Sequence, residues 1–275
     1  MTARPKTAAL VHYYFGEKSY INRLAQETVP VHLALTDYDH TVLLRHETDI
    51  ELAGMKFELS ERAENKADVI ELPTRENFVA QLDRLGKEGY VVDVYIFAHG
   101  LIGLFTASES GDYHDGVALT EAYIEAHVDP LQLRMVYGCH CYGSSLNPLW
   151  RRLGAKVTAG ARFVNFYPTR FKGFVKAWNR GEAFGKAISR SDTALVRTPV
   201  QIYIPADAAA SAKEWDGNVL LAPTVLGRGK AARRYFEACW LDEGEWQENM
   251  SGKQNMNYSS RMLISGNRSV TKKTV

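Results

Sequence analysis

Short apolar runs separated by polar turns open the chain. Ala8–Phe15, Val29–Leu35 and Thr41–Leu44 are such runs, with Thr36-Asp37-Tyr38-Asp39 between the last two, and they predict strands. From residue 67 the pattern alternates. Asp68–Leu72 predicts a short strand, Pro73-Thr74 a turn, and Arg75–Lys87 a helix. In that helix Phe78, Val79, Leu82 and Leu85 recur at 3.6-residue spacing, Glu76 sits in the first turn, and Gly86 and Gly89 mark the end. Val91–Phe97 is β-branched and aromatic with one polar residue, the pattern of a strand covered on both faces.

Thr120–His127 predicts a second helix and Leu133–Tyr137 another strand. Ser145–Leu153, carrying Leu146, Leu149, Trp150 and Leu153, predicts a third helix closed by Gly154. A strand follows from Lys156–Ala159, then a helix over Phe171–Ile188 interrupted at Gly181. Strands alternating with helices from 68 to 190 predict an α/β fold with a mainly parallel sheet. Beyond Pro199 come two more apolar runs, Val200–Ile204 and Asn218–Val225, and a helix near Lys230–Cys239. Residues 246–275 hold five basic residues against one acidic one and predict an extended or loosely packed basic tail after a domain spanning 1–245.

Composition narrows the class. With 275 residues, 45% apolar, the chain is long enough to bury a core, which excludes disorder as its global state. Lys and Arg total 33 and Asp and Glu 32, so net charge implies neither nucleic acid nor an anionic membrane as partner. The first apolar stretch is broken by His12 and followed by Gly16-Glu17-Lys18, too short for a secretory signal, and no later run suits a membrane helix. A soluble, cytoplasmic protein is expected. Cys139, Cys141 and Cys239 cannot form a disulfide framework in so long a chain, which leaves core filler, metal ligand or nucleophile as their uses.

Two strand exits carry chemistry. Val94-Tyr95-Ile96-Phe97-Ala98-His99-Gly100 delivers a histidine just past a buried strand, followed at once by glycine. Leu133-Arg134-Met135-Val136-Tyr137-Gly138-Cys139 delivers a cysteine just before a helix. The chain between them is long enough for a right-handed crossover, so the two strands can be parallel neighbours ~4.8 Å apart with both groups at one rim. A thiolate attacks a carbonyl carbon, and an imidazole moves protons near neutral pH. Gly100 leaves its N–H open to a developing oxyanion, and the dipole of a helix beginning at Ser144 or Ser145 favours the thiolate.

These motifs, Ile96–Gly100 (IFAHG) and Met135–His140 (MVYGCH) with Gly143-Ser144 after them, resemble those of the caspase-like cysteine peptidases, which include caspases, metacaspases, legumains, gingipains, separases and CHAT-type domains. Leu149–Ala155, the strand after it, and Phe171-Lys172-Gly173-Phe174 leading to Trp178–Phe184 are similar to CHAT-type domains in particular, and the resemblance spans roughly residues 67–190. It implies a three-layer α/β fold, a mainly parallel sheet with helices on both faces, and a cysteine endopeptidase working through a thioester. His99 would be the general acid/base, Cys139 the nucleophile, and the N–H groups of Gly100 and Cys139 the oxyanion hole. Tyr137, two residues before the nucleophile, would line the pocket for the residue on the acyl side of the cut bond; it is not acidic, so cleavage after Lys or Arg is not implied. Family members place Ser-Gly or Arg-Gly soon after the cysteine, whereas this chain has His140-Cys141-Tyr142-Gly143. Strand register favours Cys139; the following Tyr142-Gly143 keeps Cys141 as an alternative nucleophile.

Blander uses compete. A histidine or a cysteine ending a strand is, taken alone, more often structural. Cys239 reads as core, His140 as a loop residue, and His12, His32, His40, His46, His114 and His127 as surface or turn residues. The polypeptide bound would then be a partner of a catalytically silent interaction module rather than a substrate. Zinc held by Cys139, His140, Cys141 and His99 is the weaker rival, because the single-residue gap between the cysteines fits structural zinc spacing badly. No glycine-rich phosphate loop is present, so no cofactor and no metal is expected.

Overall fold

The computed structural model describes residues 4–14, 31–35, 37–46, 55–58, 66–110, 116–161, 169–197 and 262–274. Thr7–Tyr14 (β1) and Val91–Ala98 (β6) are buried at every position, as strands covered on both faces must be. They pair in parallel, Thr7 opposite Val91 through Tyr14 opposite Ala98, at the middle of the main sheet. On one side of β1 follow His40–Arg45 (β3) and Lys66–Ile70 (β5); on the other side of β6 follow Leu133–Cys139 (β10), Val157–Ala161 (β11) and Met262–Gly266 (β12). The order is β12-β11-β10-β6-β1-β3-β5. All pairs are parallel except β11 with β12.

Helices cover both faces. Arg75–Lys87 (α1), Glu121–His127 (α2) and Asn147–Arg152 (α3) pack Phe78, Leu82, Ile124 and Trp150 against Leu10, Val94 and Ile96. Thr169–Asn179 (α4) and Phe184–Arg197 (α5) pack Phe171, Phe174, Trp178 and Phe184 against Val11, Tyr95 and Tyr137. Odd and even positions of one strand thus feed two separate cores, which is the three-layer α/β arrangement the sequence implies. Thr74 caps α1 by accepting the Asn77 N–H at 3.1 Å.

Several boundaries differ from the sequence reading. The helix expected over Ser145–Leu153 is a 3₁₀ turn, Gly143–Leu146, followed by the short α3 with Pro148 in its first turn. The helix expected over Phe171–Ile188 is two helices, and Gly181 at the break has φ +79°, a left-handed conformation that stops α4. A three-stranded antiparallel hairpin sheet, Gly100–Leu101 (β7), Leu104–Ser108 (β8) and Gly116–Thr120 (β9), was not legible, nor was the two-stranded pair of Val31–Ala34 (β2) with Met55–Glu58 (β4). The described part of the expected loose tail is instead built in: β12 is the antiparallel edge strand of the sheet, and Val270 is buried in the core under α4 and α5. Val200–Ile204, Asn218–Val225, Lys230–Cys239 and residues 246–261 lie outside the described residues.

One approach between elements needs a missing side chain. A methyl group on Gly160 of β11 would fall inside the Gly143–Ser144 peptide of the 3₁₀ turn. Gly160→Ala should therefore lower the urea unfolding free energy by about 2 kcal/mol, since two backbone segments must part. An unchanged urea midpoint would remove this account of the turn's placement.

Candidate active site

β6 and β10 are parallel neighbours, and their register pairs Cys139 with Phe97, two residues before His99. Both chains therefore leave the sheet at the same rim. Strand order runs outward in opposite directions from β1, so the switch point lies between β1 and β6, and the crevice of such a sheet opens at the carboxyl ends there. His99 stands at that position, half-buried, and its carbonyl accepts the Thr106 N–H at 2.9 Å.

Gly100 faces Phe105 across the β7–β8 hairpin. Because the flanking ladder bond runs from Thr106 N–H to His99 oxygen, this is a non-hydrogen-bonded pair, and the Gly100 N–H points away from β8. The loop that follows β10 lies over the face of Gly100 from which a side chain would project. A methyl group on Gly100 would come within 2.6 Å of the Cys141 carbonyl oxygen and 2.5 Å of His140 Nδ1, so only glycine lets the two loops meet.

The two cysteines differ. Cys139 ends β10, is 3% exposed, and belongs to the core under α4 with Tyr137 and Phe97. Cys141 is half-buried on the turn that follows, where Tyr142 takes a left-handed φ of 55°. Alternation along β6 places Tyr95 and Phe97 on the α4 face, and continued past the strand end it puts His99 on the face that carries Cys139. Tyr137 does not line a substrate pocket as the resemblance implies. It is fully buried, its ring stacked on Phe174 at 4.4 Å between centroids, so it is a core residue and not the wall of an open pocket. The helix after Cys139 begins only as a 3₁₀ turn, so it brings less of a helix dipole to the thiol than the sequence predicts.

No family model and no curated protein matches the chain. Among solved structures, it is similar to a secreted C11 cysteine protease from Bacteroides thetaiotaomicron in complex with an irreversible peptide inhibitor. The two share 10% sequence identity and a TM-score of 0.43, over 76% of this chain and 69% of that one. No helix among the described residues is long and apolar enough to cross a membrane. Among the same residues no group of three His, Cys, Asp or Glu side chains is placed to hold a metal, which leaves the zinc reading without a donor set there. A cavity of about 440 Å³ opens at the opposite rim, between Arg4, Thr7, Asp37, Arg134 and Lys272, away from His99 and the cysteines.

Histidines expected at the surface are buried instead. His12 lies in the middle of β1 and is fully buried; its Nε2 is 2.9 Å from the Thr106 carbonyl, and its Nδ1 has no partner. His40 starts β3 with its ring 3.1 Å from Asp68, while His127 is exposed as expected. His114 lies outside the described residues. His140 does leave β10 on the face opposite Cys139, but it is fully buried beside Phe105, ring centroids 5.4 Å apart. Desolvation pushes both His12 and His140 down to about 4, the proximity of His12 adding to the effect on His140.

Those shifts fix the sign of a pH dependence. Both rings titrate lower in the folded chain than the ordinary 6.5, so the unfolded chain binds more protons between about pH 4 and 6.5. The corresponding stability is fully present above pH 6.5 and is lost as pH falls towards 4, at up to about 1.4 kcal/mol per pH unit for each histidine. Urea unfolding at pH 7.0, 6.0 and 5.0 should show this slope, and His140→Asn should make it shallower by one proton. An identical slope in that variant would show that His140 is not the buried neutral ring described.

Proposed function

We propose that the chain is a caspase-like cysteine endopeptidase in which His99 and Cys139 act on one peptide bond. The observation that carries this reading is the parallel pairing of β6 with β10, which brings a histidine and two cysteines out at one rim beside the switch point of the sheet. The thiolate of Cys139 attacks the scissile carbonyl carbon, and the N–H groups of Gly100 and Cys139 hold the oxyanion. His99 gives a proton to the departing amine, and water then releases the acyl product from the thioester. The outward N–H of Gly100 supports its role. Substrate is a polypeptide, and the cytoplasm is the proposed setting.

A second reading takes Cys141 as the nucleophile. It is favoured by exposure, since Cys141 is half-buried where Cys139 is 3% exposed, and by the contact of the Cys141 backbone with Gly100. Treating the purified protein with a peptide carrying a thiol-directed acyl electrophile and mapping the adduct by mass spectrometry separates the two. An adduct on Cys139 that disappears in Cys139→Ala supports the first, and one on Cys141 the second. Labelling of neither cysteine ends the enzymatic reading and leaves an interaction module, whose partner should survive Cys139→Ala in pull-down.

A further inference from the structure

His140 bridges the two loops that the proposed chemistry uses. Its Nδ1 is 3.1 Å from the Cys141 carbonyl oxygen, and its side chain lies against Gly100, where a methyl group would sit 2.5 Å from Nδ1 and 3.1 Å from Cβ. The ring is fully buried, tilted 40° to the ring of Phe105 and packed against the backbones of Gly138 and Gly143; a methyl group on either glycine would sit 3.1 to 3.2 Å from Nε2. Nε2 has no partner. The facing titratable group from β1 is His12, also buried and neutral, and no carboxylate pairs with His140 among the described residues.

These contacts fix the tautomer. A carbonyl oxygen accepts only from an N–H, so the proton of the neutral ring sits on Nδ1 and Nε2 carries the lone pair. The Nδ1–H holds the Cys141 carbonyl inward, on the face away from the Cys139 side chain, while the body of the ring limits how far the His99–Gly100 peptide can turn. Ser145 also ties the hairpin to the turn, its Oγ accepting the Gly103 N–H at 2.8 Å and donating to the Tyr142 carbonyl at 2.7 Å. Among the contacts described, however, only His140 meets both Gly100 and the Cys141 carbonyl, so replacing its ring frees those two groups at once.

We infer that His140 is a positioning residue, a neutral Nδ1–H clamp that fixes the Gly100 N–H and the turn carrying Cys141 relative to the nucleophile. This rests on the peptidase reading above. The clamp never touches substrate, since it is sealed behind the glycines. Its loss therefore acts on kcat, where the oxyanion donors are used, and not on the binding of the polypeptide.

The test uses the full chain with His140→Asn, His140→Gln and His140→Phe, each checked for native circular dichroism, and peptide cleavage resolved into kcat and KM. Asparagine Nδ2 can occupy the place of the ring Nδ1–H, whereas glutamine offers its amide one bond further out. His140→Asn should stay within a few-fold of the parent, and His140→Gln and His140→Phe should lose about 10²-fold in kcat with KM nearly unchanged. Ring ¹⁵N shifts of the parent should show the Nδ1–H tautomer at pH 7. Equal kcat in His140→Asn and His140→Gln overturns the clamp whether or not His140→Phe folds, as does a loss confined to KM or the Nε2–H tautomer. A parent chain whose cysteines take no acyl electrophile overturns the peptidase reading and the clamp with it, whereas a labelled parent with indifferent variants overturns the clamp alone.

Discussion

His99→Ala should lower kcat/KM for peptide cleavage by about 10²–10⁴-fold, the loss expected when a positioned general acid/base is removed. This expectation holds whichever cysteine attacks, because the histidine is held by the end of β6 and by the Thr106 bond to its carbonyl, and both cysteines leave the neighbouring strand at the same rim. The substitution sits past the last buried residue of the strand, at a half-buried position, so the fold should tolerate it. Melting temperature within a few degrees of the parent, together with lost turnover, is the signature of a chemical role. Substrate affinity should change little, since the imidazole works mainly on the leaving amine in the transition state. Full activity in His99→Ala would end the assignment.

Arg134→Met should destabilise the fold by about 3–5 kcal/mol, the range for stranding a buried charge. Asp93 lies wholly inside the sheet on β6. It accepts from Arg134 Nε and Nη2 at 2.8 and 2.7 Å, from the Tyr38 hydroxyl at 2.6 Å and from Trp178 Nε1 at 3.2 Å. Tyr95 joins through the Tyr38 hydroxyl at 2.7 Å, and burial, with the Asp93 charge beside them, pushes both phenols well above their usual range. Arg134 reaches Asp93 because the register between β10 and β6 slips there, with Leu133 opposite Val92 but Met135 opposite Asp93. Removing the guanidinium leaves a buried carboxylate without its directly bonded counter-charge, while Asp93→Leu combined with Arg134→Met should recover much of the loss because that charge is then not stranded. Arg134 also donates to the Lys272 carbonyl, so hydrogen exchange should rise selectively across 262–274 in the single variant. A loss below about 1 kcal/mol in urea would show that the pair is not the desolvated contact described.

The layered architecture was legible wherever a segment carries its own period. Phe78, Val79, Leu82 and Leu85 mark one helical stripe, and the helix they predict spans Arg75–Lys87 as observed. Val91–Phe97 reads as a fully covered strand because no polar side chain but Asp93 interrupts it, and Asp93 is compatible with burial only through the distant Arg134, Tyr38 and Trp178. The hairpin sheet at 100–120 was missed because Gly100–Leu101 is too short to show a period, and β12 because Met262–Gly266 lies in a stretch dominated by polar and basic residues. The sequence reads His12 as a surface or turn residue and His140 as a loop residue, and both are buried, because burial of a single histidine leaves no mark on its neighbours.

By itself the sequence determined which segments are strands and helices over most of 68–190, and that one strand ends in His99-Gly100 and another in Gly138-Cys139. Local periodicity encodes that much, since it reflects only which side of an element is dry. Only the tertiary structure decided that those two strands are neighbours, that Tyr137 is core, that Gly100 must meet the Cys141 backbone, and that residues 262–274 close the sheet. Pairing partners, side-chain burial and close approach depend on chain brought together from far along the sequence, and no short window records them.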